Sequence, residues 1–224
     1  MSSRQLISRA AQFFLGPLTY ALANAGKPGV EIDLALKFKD YGVISTADAD
    51  GACASQSVSS GVAALINGAL ASAGVATFAT PRNVVAAWTN TAILTITGTD
   101  EYGAVLIETT ASGTSHTGKK AFKTITSVVP NANITGATVG EGVVIGLPHR
   151  VDENGLIRAN LDGAFDAATF VEADTATATG TTGDIRGTVS FSAAPDGTRK
   201  FAVFYKIAGV STKALAYGVS QFTG

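Results

Sequence analysis

Between residues 75 and 207 short runs of β-branched and small apolar residues recur, separated by turn chemistry, with no stretch of helical period between them. This feature constrains the fold most. Successive strands without helices lack the crossover elements a parallel sheet needs, so they must pair as antiparallel neighbours. We read strands at 75–78, 84–88, 92–97, 104–110, 121–129, 142–147, 156–160, 184–192 and 199–207. The pattern predicts an all-β fold, an antiparallel β-sandwich or barrel of jelly-roll or Greek-key type. Residues 1–30 read as an extended or partly helical N-terminal arm. Residues 31–224 read as the β domain, with a candidate subdomain break in the Thr/Ala/Gly-rich stretch 173–184, itself read as a long surface loop.

The stretch ILTITGTDEYGAVLIETT, residues 93–110, is the clearest local instance. Leu94 and Ile96 alternate with Thr95 and Thr97, a period of two, and TDEYG supplies a turn with Gly103 available for positive φ. It predicts a hairpin with Asp100 and Glu101 on a solvated tip and Glu108 on the second strand. No His or Cys lies in the segment to perturb these acids, so they read as surface groups and not as a catalytic or metal pair. Upstream, EIDLALKFKDYG places Ile32, Leu34, Leu36 and Phe38 on one side and Glu31, Asp33, Lys37 and Lys39 on the other, a half-buried strand. STADADGACASQSVSSG, residues 45–61, reads as loop. Asp48 and Asp50 faintly suggest a calcium loop there, but no bidentate acid follows at the required position. Asn154-Gly155 predicts a hairpin turn, and Ala194-Pro195-Asp196-Gly197 a proline-led turn.

Charged residues make up 15% of the chain against about 25% in ordinary soluble domains, and the net charge is −1. That balance makes no case for nucleic acid or an anionic membrane as partner. So sparse a charge suits a surface packed against neighbours. The single Cys53 rules out an intramolecular disulfide framework, and no apolar run reaches the ~18 residues of a membrane-spanning helix. The N-terminus imitates a secretory signal: Arg4 and Arg9 precede AAQFFLGPLTYALANAG, and Ala21-Leu22-Ala23 has cleavage-site character. Gln12, Pro17 and Thr19 interrupt the apolar stretch, so we read an arm and not a signal. Ser2 with Gln5 predicts a capping box for a short helix through Leu6, Ile7, Ala10 and Phe14, stopped at Gly16-Pro17. Phe13, Phe14, Leu15, Leu18 and Tyr20 then form the candidate protein-interaction residues, expected to pack against another protein chain.

Chemistry-bearing motifs fail in context. GTSHTGKK, residues 113–120, matches a phosphate-binding loop through Lys119, but Lys120 stands where Ser or Thr would hold magnesium. A strand, AFKTITSVV, follows where a helix should begin, so we read a glycine-bounded connection. His116 and His149 lie in no catalytic sequence, Cys53 has no diagnostic neighbours, and no Gly-x-Ser-x-Gly elbow occurs. Cys and His are too few for a zinc site. Asn133-Ile134-Thr135 is a formal glycosylation sequon. Lys119, Lys120 and Lys123 read as a solvated strand end, and Trp88 as core or interface. No catalytic, cofactor-binding or metal residue is predicted.

The series TPRNVVAAW, ILTITGTDEYGAVLIETT, GKKAFKTITSVV and GVVIGLPHRV, followed by DIRGTVSFSAAPDGTRKFAVFY, resembles virion structural proteins of tailed bacteriophages. In particular it is similar to head decoration, or cement, proteins; the likeness spans roughly residues 75–207 and leaves the arm outside. The resemblance implies a non-enzymatic protein on the outer surface of the capsid. Its partners would be the major capsid protein and sister subunits, as a homotrimer. It implies no catalytic residues and no cofactor. A neck, tail or head-fibre protein is the structural alternative. A secreted carbohydrate-binding or hydrolytic β protein is the alternative of another class, requiring a signal peptide and an aromatic or acidic cleft.

Overall fold

The computed structural model describes residues 36–207 and 217–224. The candidate arm residues Phe13, Phe14, Leu15, Leu18 and Tyr20, and the helix expected around them, lie outside the described residues. The described elements are all strands: β1 Leu36–Val43, β2 Cys53–Val58, β3 Ala71–Ser72, β4 Val75–Ala92, β5 Leu94–Thr99, β6 Val105–Thr109 and β7 Gly113–Pro130. They continue as β8 Ile134–Gly146, β9 Leu156–Leu161, β10 Ala164–Asp166, β11 Thr169–Val171, β12 Thr188–Ser190 and β13 Lys200–Lys206. Every pairing is antiparallel. One sheet runs β1-β13-β9-β10; the other runs β11-β12-β8-β4-β7-β5-β6, with β2 on β8 and β3 on β4. The curled sheets make a half-barrel or sandwich, as the strand-and-turn pattern predicts.

Two apolar cores follow from this arrangement. The larger sheet curls around Phe78, Trp88, Leu94, Ile96, Leu106, Phe122, Ile125 and Val139, with Ile66 and Leu70 packed against them. Trp88 is thus core. The second core lies where the two sheets meet: Phe201, Val203, Tyr205 and Ala159 of the smaller sheet pack with Ile145 of β8 and Val189 of β12.

Several expected boundaries are corrected. Two expected strands merge into β4, whose pairing with β7 shifts register between Thr77 and Arg82, around Pro81; a bulge there accommodates the missing donor. The expected loop over 45–61 contains β2. Residues 113–120 are no connection but the first half of β7, where Val85, Ala86 and Ala87 pair with Thr117, His116 and Ser115. Asn154 does take positive φ (58°), but β8 and β9 belong to different sheets, so the turn closes no hairpin. Tight two-residue hairpins close instead at β9–β10, turned at Asp162 (φ 52°) and Gly163 (φ 81°), and at β3–β4, turned at Ala73 (φ 50°) and Gly74 (φ 78°). The stretch 173–184 is irregular as expected, and Asp174 N–H donates to Asp184 O (2.9 Å) across its base.

Candidate interaction surface

The opening hairpin forms as predicted, with Thr95–Thr99 paired against Val105–Thr109 and Gly103 at φ 82°. Two of its three acids, Asp100 and Glu108, are not surface groups. Asp100 is 2% exposed, and its Oδ2 accepts from Arg186 Nη1 (2.9 Å) and Gln221 Nε2 (3.1 Å). Its Oδ1 accepts from the amides of Tyr102 (2.8 Å) and Ala104 (2.9 Å), so the acid shapes the turn from inside it. Burial pushes the Asp100 carboxyl up, but the Arg186 charge and these hydrogen bonds outweigh it and hold the group below the usual carboxylate range. Arg186 is itself raised: burial opposes its charge, and Asp184 and Asp100 prevail. Glu101, the half-buried tip acid, faces Lys39 (3.6 Å).

Glu108 is likewise buried. Its Oε1 accepts from Lys119 N–H (2.6 Å) and lies 3.6 Å from His116 Nε2, while its Oε2 finds no hydrogen bond. Lys120 is not a solvated strand end; its Nζ donates to Thr182 Oγ1 (3.1 Å) and Gly183 O (3.3 Å), and burial lowers its pKa. A further buried pair, Arg82 with Glu141 (3.0 Å), was not foreseen. Asp48 shapes a turn, accepting from Asp50 N–H and Gly51 N–H. Among the described residues no group of three or more His, Cys, Asp or Glu is placed to hold a metal ion.

A pocket of about 450 Å³ opens beside this network, lined by Asp100, Tyr102, Arg186, Tyr217 and Gln221 among others. It has aromatic walls, with the Tyr102 and Tyr217 rings 5.1 Å apart. Its polar groups are largely committed to the fold, however. Asp100 is saturated by four donors, and the Tyr102 hydroxyl donates to Pro148 O (2.6 Å). His149, stacked on Tyr217, shares a hydrogen bond with the Tyr205 hydroxyl (2.8 Å). The Arg186 Nε, also buried at this pocket, has no hydrogen-bond partner.

The smaller sheet carries the more informative surface. In its register Phe38 faces Phe204, which faces Arg158; one rung along, Asp40 faces Ala202, then Asn160, then Phe165. The alternate residues Phe201, Val203, Tyr205 and Ala159 point into the second core. The first set therefore lies on the outer face, which is open and sets large apolar side chains among Asp40, Arg158, Asn160 and, opposite Leu36, Lys206. Leu36 is 39% exposed, Phe38 56%, Ile157 58% and Phe165 67%. The Phe38 and Phe204 rings stand 4.6 Å apart, the Arg158 guanidinium sits 6.0 Å from the Phe165 ring, and a groove of about 430 Å³ runs between Leu36, Ile157, Arg158, Asn160 and Phe204.

Strand β1 is thus turned against expectation. Its apolar residues Leu36 and Phe38 face outward, while Lys39 reaches Glu101 of the larger sheet and Tyr41 O–H donates to Gly146 O (2.9 Å). Tyr41 can be satisfied there by a backbone carbonyl, and Lys39 by a partly exposed acid, so the polar side tolerates the inner position. The consequence is an exposed apolar sheet face, the kind of surface that marks a partner.

Comparisons with protein-family models, with curated proteins and with solved structures returned no match to this chain.

Proposed function

We propose that this chain is a non-enzymatic structural protein of a tailed-phage virion: a head decoration, or cement, protein. It binds the outer surface of the assembled capsid, contacts the major capsid protein and its own sister copies as a homotrimer, and stabilises contacts between capsid subunits. Two things support the reading. One is the ordered series of segments over residues 75–207 that resembles such proteins. The other, which carries it, is the outer face of the smaller sheet, where Phe38, Ile157 and Phe165 stand exposed on a rigid antiparallel support.

The physics of the role suits this scaffold. A ligand that binds the assembled arrangement and not the free subunits stabilises the shell by mass action, with no active site. A cyclic trimer seated at three-fold positions makes equivalent contacts with each surrounding subunit. The test is co-sedimentation of the purified chain with shells lacking it. Saturable binding in fixed ratio to the major capsid protein, with a raised temperature of shell disruption, is the expected result. Shells that stay bare at micromolar protein exclude the role.

A further inference from the structure

Two apolar features bear on self-association: the outer face of the β1-β13-β9-β10 sheet, exposed among the described residues, and, in the sequence outside them, the stretch carrying Phe13, Phe14, Leu15, Leu18 and Tyr20. We propose that this face receives residues 13–20 of a neighbouring copy of the chain, so that each copy offers one segment and accepts another. The proposal rests on the self-association proposed above and names its contact.

Residues 1–35 join the fold at Leu36, the first residue of β1, which lines the groove on this face. Fifteen residues, 21–35, separate Tyr20 from Leu36. Extended, they span up to about 50 Å, several times the roughly 15 Å across four paired strands, so the segment can leave its own subunit and reach the next.

The two surfaces also match in kind. The segment from residue 10 to residue 26 carries no charged side chain, and the face presents Leu36, Phe38, Ile157, Phe165 and Phe204 together with Asp40, Arg158, Asn160 and Lys206. Uncharged aromatic side chains seat on the apolar part of such a face and bring no charge of their own to be buried, while the long Arg158 and Lys206 side chains can keep their heads in water. One segment and one face per copy, joined head to tail, close into a ring when the rotation allows, which is the geometry of a cyclic trimer.

The test uses the full chain with two engineered cysteines, Phe14→Cys and Phe165→Cys, oxidised at low micromolar concentration. The native Cys53 is buried, and the two single-cysteine variants control for chance coupling. Disulfide-linked multimers in the double variant, absent from both controls, are the expected result. A linked monomer would show that the segment covers its own subunit, and no linkage would show that it does not seat there; either outcome overturns the proposal. As a second arm, full-length Phe165→Asp and Phe13→Asp/Phe14→Asp should each sediment as smaller species than the unaltered chain. Mixed, they should recover a hetero-complex, since one keeps the segment and the other the face; species that stay apart also overturn it. These readouts need no virion, so failure to bind shells would remove the decoration role and leave the exchange standing.

Discussion

Replacing Asp100 with Asn probes the buried network most sharply, because the hairpin alone suggests that the change is harmless. Asp100 lies 2.9 Å from Arg186, and both side chains are 3% exposed. The amide removes the charge that compensates a buried guanidinium; breaking a buried ion pair from one side costs about 3–5 kcal/mol. It also replaces one acceptor oxygen by a donor, which must face either the Tyr102 and Ala104 amides or Arg186 and Gln221. Against this, Asp184 remains near Arg186 and keeps part of the compensation. We expect a loss of about 3 kcal/mol, the lower end of that range. The assay is urea unfolding followed by Trp88, the sole tryptophan and a core residue, whose emission should shift to the red as the core opens. Glu101→Gln is the control: its partner Lys39 is 3.6 Å away and both are partly exposed, so it should change stability by less than about 1 kcal/mol. An Asp100→Asn loss no larger than that of Glu101→Gln would refute the claim that burial and Arg186 govern this turn.

The same carboxyl gives a pH dependence. Its folded pKa is depressed, so its contribution is present above the unfolded value near 4 and is lost as pH falls through the folded value; the deficit of Asp100→Asn in urea should therefore shrink between about pH 6 and pH 3. Glu141 acts oppositely: burial raises its carboxyl despite Arg82, so its contribution fades as pH rises through its folded value, and Glu141→Gln should steepen the acid loss of stability in the same titration. Gly98→Ala would put a Cβ 1.8 Å from Thr124 O across the β5–β7 ladder, so calorimetry should register about 1–3 kcal/mol of lost stability. At concentrations low enough to keep the chain monomeric, Phe165→Ser, at a position exposed within one subunit, should change unfolding free energy by within about 0.5 kcal/mol while lowering the binding of an apolar dye.

What could be read in the sequence was local. Alternation of Leu94 and Ile96 with threonines, followed by a turn with Gly103, specified the hairpin because both signals act within a few residues. Asp162-Gly163 carries a signal of the same kind, and the sequence reading did not use it: it placed its hairpin turn at Asn154-Gly155, while the chain turns at 162–163. The burial of Asp100 was not readable, since its partner Arg186 lies 86 positions away and only the folded sheets bring them together. Residues 113–120 looked like a loop because they are small and polar; they hold strand geometry because β4 pairs along them and Glu108 takes the Lys119 amide. Strand β1 teaches the general point. Periodicity separated Leu36 and Phe38 from Lys37 and Lys39, but a period of two defines two faces without saying which is inward. That choice fell to Tyr41 and Lys39 finding partners on the larger sheet, and it produced the exposed face on which the functional reading stands.

The central claim is that this chain is a stoichiometric component of a virion's outer surface. Quantitative mass spectrometry of purified particles, with and without brief surface proteolysis, addresses it directly. The account predicts the chain in a fixed ratio to the major capsid protein, with its peptides lost on proteolysis while those of the shell interior survive. Particles that contain the chain only in trace, or only in a form that proteolysis leaves intact, would contradict it.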